Sequence, residues 1–369
     1  MRSSLVVIAL VATLASSAQA QNAWQTEFGF QGGFSRLVLA GASADPTDAI
    51  SLPGFNLGNL IPAPAGLYIL IPAGKKLAIE TDFAASQFSV GLTATLLTLG
   101  VRADYALTRH LYGAAGGALA YNNGIANETQ LGVQAALGYR YGLSRTLNGR
   151  VEARTTFYGK ADNAAPVDAY SLLVGFSTVT SRPHGARSSA SAGSQRAWTP
   201  RLGIAGGYAS VTIIGTGTLT ALALPGYGSA LGTALGTGPG FTEVTLPPTV
   251  FAIIPVGRKI AVEPALDIHR FQESGQTSFS ANLSARLDYA VHGGWYGALG
   301  GNLHYLKSTG VDAATRTGVN VGWGYRFPLV SGVGGRIEAN YTMFGENSDL
   351  GLAPTNTFGL MFGVTMPLK

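Results

Sequence analysis

The 369-residue chain contains no cysteine, which excludes both a disulfide framework and a thiolate metal site. Charge is also scarce. Asp, Glu, Lys and Arg make up 12% of the residues, about half the share usual in a soluble domain. After residue 20 no uncharged apolar run is long enough to cross a bilayer as a helix, so a membrane-embedded chain of this sequence must cross as a closed sheet. Histidine is rare: His110, His184, His269, His292 and His304 fall at no metal-ligand spacing. Neither a Gly-x-Ser-x-Gly elbow nor a phosphate-binding loop occurs. The expectation is a non-enzyme with no catalytic residue, cofactor or metal.

What stands in place of these is glycine (51 residues), tyrosine (15) and a positive mean hydropathy without helix-length apolar runs, a composition that fits an outer-membrane barrel. The N-terminus, residues 1–20, reads as a secretory leader. Arg2 is followed by the apolar stretch Leu5–Leu14 and the small-x-small end Ala18-Gln19-Ala20, with cleavage expected after Ala20. The alternative, an N-terminal anchor, is disfavoured by that cleavage site. The formal charge of +5 includes Arg2 in the leader and Arg182, Arg187 and Arg196 in one short linker. The remainder is near neutral, and the basic balance is no argument for nucleic-acid binding.

A duplication organises the rest. Ala23-Trp24 recurs as Ala197-Trp198, and Ile71-Pro72-Ala73-Gly74-Lys75-Lys76-Leu77-Ala78-Ile79-Glu80 as Ile254-Pro255-Val256-Gly257-Arg258-Lys259-Ile260-Ala261-Val262-Glu263. Arg102-Ala103-Asp104-Tyr105 recurs as Arg286-Leu287-Asp288-Tyr289, and Gly149-Arg150-Val151-Glu152 as Gly335-Arg336-Ile337-Glu338. The copies span 21–180 and 198–369, and the Ser-, Arg- and Gly-rich segment 181–197 reads as a flexible linker.

Eight strands are expected in the first copy, over 24–41, 66–72, 76–86, 90–106, 111–121, 129–142, 149–159 and 169–180. The connections 73–75, 107–110 and 143–148 are short. Three of the four on the other side (42–65, 87–89, 122–128 and 160–168) are longer, which places the N-terminus and the linker in the periplasm. Segments 42–65 and 216–249 are long, nearly uncharged and rich in Gly, Leu and Pro. They read as loops that either cap the barrel mouth and bind a ligand or lean on lipid.

Period-two alternation separates the faces. Leu131, Val133, Leu137, Tyr139 and Tyr141 oppose Gln130, Gln134 and Arg140, while Phe28, Phe30 and Phe34 oppose Glu27, Gln31 and Ser35. The apolar side is expected to meet lipid and the polar side to point inward. The predicted interior of copy one gathers Glu27, Glu80, Asp82, Asp104 and Glu152 with Arg102, Arg140, Arg150 and Arg154. That of copy two gathers Glu263, Asp288 and Glu338 with Arg201, Arg286, Arg326 and Arg336. Each set is close to neutral, as buried charge requires, so a paired network is expected. A soluble sandwich would show the same alternation; the leader and the low charge argue against it.

Each copy thus resembles, in strand count, unit length, loop asymmetry and inward charge, the eight-stranded outer-membrane barrel domains of the OmpA/OmpX type. The resemblance covers nearly all of the chain after the leader, as a pattern without a diagnostic motif. It implies outer-membrane lipid around the barrels and insertion by the barrel assembly machinery. The final strand, Thr357-Phe358-Gly359-Leu360-Met361-Phe362-Gly363-Val364, is similar to the family's insertion signal but is followed by Met366-Pro367-Leu368-Lys369 in place of a terminal aromatic. No external ligand is indicated.

The linker and the charge balance within each copy favour two tandem eight-stranded barrels. The alternative is one sixteen-stranded barrel, with a porin's wet lumen.

Overall fold

The computed structural model describes residues 24–368 except 40–45, 53–65, 91, 124–126, 144–146, 163, 180–197, 215–216, 225–249, 274–275, 311, 331–332 and 347–352. The leader, the linker and most of segments 42–65 and 216–249 lie outside these residues. All regular structure among those described is antiparallel strand. The first copy contains β1 (Glu27–Leu39), β2 (Thr47–Leu52), β3 (Gly66–Pro72), β4 (Leu77–Val90), β5 (Leu92–Ala106), β6 (Leu111–Asn123), β7 (Glu128–Gly142), β8 (Leu147–Tyr158) and β9 (Val167–Val179). The second contains β10 (Arg201–Ile213), β11 (Gly217–Leu224), β12 (Val250–Pro255), β13 (Ile260–Glu273), β14 (Gln276–Ala290), β15 (Trp295–Ser308), β16 (Ala314–Val330), β17 (Val333–Phe344) and β18 (Thr355–Pro367).

The two-barrel expectation holds: each copy closes as an eight-stranded barrel. β1 pairs with β9 along its whole length and with β3 over Glu27–Gln31. The ladder β3–β4–β5–β6–β7–β8–β9 completes the ring. β10 is placed likewise between β18 and β12, and β12 leads through β13 to β18. These closures lie toward the end that carries the short turns, such as 73–76 and 107–110.

At the loop end the copies exchange edges, which neither sequence alternative anticipated. Segments 42–65 and 216–249, expected as loops, each contain a strand. Over Gly33–Leu37 the partner of β1 is β2, and the far edge of β2 pairs with β13 of the other copy, Leu52 opposite Ile268 and Asp48 opposite Gln272. Reciprocally, β11 runs between β10 and β4, with Leu224 opposite Ala85 and Thr220 opposite Ser89. The pairings at this level trace one ring of sixteen strands, which divides toward the turn end into two rings of eight. The exchange also leaves no open edge on β4 or β13, an edge that would otherwise invite non-native pairing.

Two glycines mark the division. Gly33 and Gly207 occupy equivalent places in β1 and β10 and have φ of +157° and +146°. A Cβ would lie 2.2 Å from the Leu172 carbonyl oxygen at Gly33 and 2.3 Å from that of Leu360 at Gly207. Only glycine lets the strand change partner here while keeping its ladder on the other side. A second boundary also differs from expectation. Residues 87–89, expected as a turn, belong to β4, and Val90 pairs directly with Leu92.

Most outward positions fit the apolar expectation. Leu131 is 69% exposed and Val133 63%, and Leu99, Val101, Leu283, Leu287, Leu299, Val319 and Leu360 are exposed on other strands. Tyr105, Tyr139, Tyr289, Trp295, Trp323 and Tyr325 project near the turn end, where an interfacial aromatic girdle belongs. β1 is a correction. Phe30 does not face outward freely. It is 3% exposed and packs with Leu147, Ile204 and Met366, with Phe28, Phe176 and Leu202 partly buried around them. The two barrels therefore touch side by side through these apolar faces.

Candidate functional site

The inward positions carry the charges that alternation assigns to them. In the first barrel Arg102, on β5, lies 2.9 Å from Glu80 on β4, 3.0 Å from Asp104 and 2.5 Å from Glu152 on β8, and none of these side chains has exposed surface. Arg150 donates to Glu80 and to Gln31 on β1 and stacks 3.6 Å above the Tyr68 ring. Arg154 reaches Glu152 at 2.8 Å and Asp82 at 3.5 Å. The Tyr112 hydroxyl donates to Glu152 at 2.5 Å. Contacts from β4 and β5 to β8 cross the lumen, and Arg150 continues the cluster from β8 to Gln31 on β1.

The second barrel repeats the core of this arrangement. Arg286 lies 2.8 Å from Glu263, 3.2 Å from Asp288 and 2.6 Å from Glu338. Arg336 lies 2.5 Å from Glu263 and stacks 3.6 Å from Phe251, and the Tyr296 hydroxyl donates to Glu338 at 2.6 Å. With Asn340 and Ala265 at the places of Arg154 and Asp82, the second cluster lacks one base and one acid and the contacts Arg154 makes with Glu152 and Asp82.

Physical necessity explains the multiplicity of contacts. Each buried ion loses several kcal/mol of hydration, which only close, hydrogen-bonded partners offset. Arg102 meets this with a forked contact to Glu152, Nη1 at 2.8 Å and Nη2 at 2.5 Å, the strong planar geometry open to a guanidinium.

Below the clusters a buried tryptophan stands at each turn-end mouth. Trp24 donates to the Lys76 carbonyl and Trp198 to that of Lys259, both at 2.9 Å. In the first barrel Glu27 is bonded here by Arg140, by Ser177 at 2.6 Å and by Asn148 at 3.1 Å, and Arg140 stacks 4.6 Å from Trp24. In the second, Arg326 stacks 3.5 Å from Trp198, and Arg201 bonds Thr365 Oγ1 at 3.1 Å.

Of the sixteen charges expected inside, thirteen are buried and Arg140, Arg201 and Arg326 are half-buried, and they fall in four groups rather than two: a central cluster and a turn-end group in each copy. Sequence reasoning missed the tyrosines that complete the clusters and the polar lining above the second one. There Asn282, Asn302, His304, Arg316 and Asn320 are buried. His304 bonds Ser280 at 3.0 Å, and Arg316 donates to the Ala353 carbonyl at 2.8 Å. The same alternation, followed further toward the loop end, carries their signal. In the first copy that level carries no charge among these positions: Leu37, Ala120, Tyr158, Val167 and Ala169 pack together, beside the buried Gln130 and Gln134.

Fold and site together define a tandem antiparallel β-barrel protein with apolar outward faces and ion-filled interiors. No known family matches the chain, and no curated protein matches it. Solved structures that it resembles include a CymD monoaromatic hydrocarbon channel, at 11% identity and a TM-score of 0.31 over 96% of this chain and 91% of that one. A bacterial polysaccharide outer membrane secretin matches at 9% identity and a TM-score of 0.32 over 94% and 99%. A FadL homologue of Pseudomonas aeruginosa matches at 10% identity and a TM-score of 0.25 over 97% and 94%.

Proposed function

We propose that the chain is an integral protein of the bacterial outer membrane, without enzymatic activity, whose barrels are closed to solutes and whose role is structural or surface-interacting. The observation that carries this reading is the pair of buried clusters around Arg102 and Arg286, whose ion pairs join strands on opposite sides of each ring of eight, β4 with β8 and β13 with β17. The belt of exposed Leu, Val and Ile side chains supports residence in lipid. In this reading the short turns face the periplasm, β18 carries the insertion signal read by the assembly machinery, and the shared sixteen-stranded mouth faces outward, where a surface partner would meet it.

The test is conductance of the refolded full chain in a planar lipid bilayer. Silence, with a heat-modifiable folded band on a gel, is expected. A steady large conductance would overturn the closed-barrel reading and favour a porin fed by the sixteen-stranded mouth.

A further inference from the structure

The turn-end groups of the two barrels are built on equivalent backbone positions and differ in one charge. Glu27 pairs with Leu70 and Val179, and Arg201 pairs with Ile253 and Pro367, the same places in the second copy. Arg140 lies opposite Arg150, as Arg326 lies opposite Arg336. In the first barrel, therefore, Arg140 faces a carboxylate held also by Ser177 and Asn148. In the second the carboxylate has become a guanidinium, and two cations converge on one mouth.

The surroundings have changed to match. Thr365 stands where Ser177 stands and accepts from Arg201 Nη1 at 3.1 Å through its hydroxyl and at 3.3 Å through its carbonyl. The Thr199 hydroxyl lies 3.3 Å from Arg201 Nε. Gly334 takes the place of Asn148, and a Cβ there would come within 2.8 Å of Arg201 Nη1. The glycine thus makes room for the larger side chain. These partners of Arg201 are neutral oxygens, and no carboxylate pairs with it among the described residues. Both Arg201 and Arg326 are half-buried and so keep part of their surface exposed.

We propose that this mouth of the second barrel is an anion site, in which a phosphate-type oxyanion supplies the charge that Glu27 supplies in the first. Two planar guanidinium groups suit a tetrahedral oxyanion with several acceptors. Trp198, under Arg326, gives the site a rigid floor. The oxyanion is either free in solution or the headgroup phosphate of a membrane lipid, since both present the same atoms.

The experiment is a calorimetric titration of the full chain in phosphate-free detergent, once with inorganic phosphate and once with short-chain phosphatidylglycerol. Arg201→Glu rebuilds the ion pair of the first barrel and should keep the fold while weakening binding by on the order of tenfold or more. Arg201→Gln, which removes the charge alone, should weaken it as well and serves if the first variant fails to fold. Phosphate binding that depends on Arg201 supports a free-ion site, and lipid binding alone with that dependence supports a headgroup site. Absence of binding by either probe, or binding indifferent to both substitutions, overturns the proposal. None of these outcomes depends on whether the barrels conduct.

Discussion

Arg102 grips Glu152 across the first barrel through both terminal nitrogens, at 2.8 and 2.5 Å, from strands three apart in the ring. Removing one partner strands the other as an uncompensated buried charge. Arg102→Ala is expected to cost about 3–5 kcal/mol, read as a lower urea midpoint for unfolding from lipid vesicles, and Arg286→Ala should behave alike. Unchanged midpoints in both would show that the clusters contribute nothing to stability.

Tyr112 and Tyr296 each donate one hydrogen bond to the central glutamate of their cluster. Tyr112→Phe and Tyr296→Phe leave the packing intact and remove only that donor. Each should cost about 1–3 kcal/mol in the same unfolding measurement. The two losses should add, because the tyrosines sit in separate barrels.

Gly33→Ala and Gly207→Ala place a methyl against a carbonyl oxygen, at a backbone angle that alanine rarely adopts. A loss of about 1–3 kcal/mol is expected for each. Gly142→Ala, where a Cβ meets nothing within 4 Å, is the control and should change little.

The edge exchange can be read by cross-linking, because the chain has no native cysteine. Ser51 and His269 are Cα partners across β2 and β13. Such partners lie about 4.5–5.5 Å apart, within disulfide reach. Ser51→Cys with His269→Cys should form a bond on oxidation, seen as a gel shift. Ser51→Cys with Ser86→Cys, the pair that a self-closed first barrel would bring together, should not. The reverse result would remove the sixteen-stranded ring.

Val133, exposed at the middle of β7, separates a lipid face from a watery one. Val133→Arg should lower folding stability in phospholipid bilayers by about 2–4 kcal/mol, the depth-dependent cost at the midplane of a barrel. A protein with this face in water would tolerate the change.

Much of this architecture is legible in the sequence because it rests on local periodicity. The alternation that puts Glu80 and Arg102 inward and Ile79 and Val101 outward needs no knowledge of any other strand. The duplication also exposes the charge swap at Glu27 and Arg201. What local patterns do not hold is the choice of partner. Thr47–Leu52 and Gly217–Leu224 are short strands set among Gly, Pro and Leu, and their composition resembles that of a loop. Whether β2 pairs with β4 or with β13 depends on an edge more than two hundred residues away in the chain. Phe30 departs from expectation for a related reason: a period of two distinguishes inside from outside, but not lipid from the flank of a second barrel.

The reciprocal exchange changes what the connection between the copies does. With β2 laid on β13 and β11 on β4, and with Phe30, Leu147, Ile204 and Met366 packed between the barrels, the halves are held by ladder and by contact. These contacts make covalent continuity between the copies redundant once the protein has folded. A chain severed anywhere between Val179 and Trp198 after folding would remain one particle.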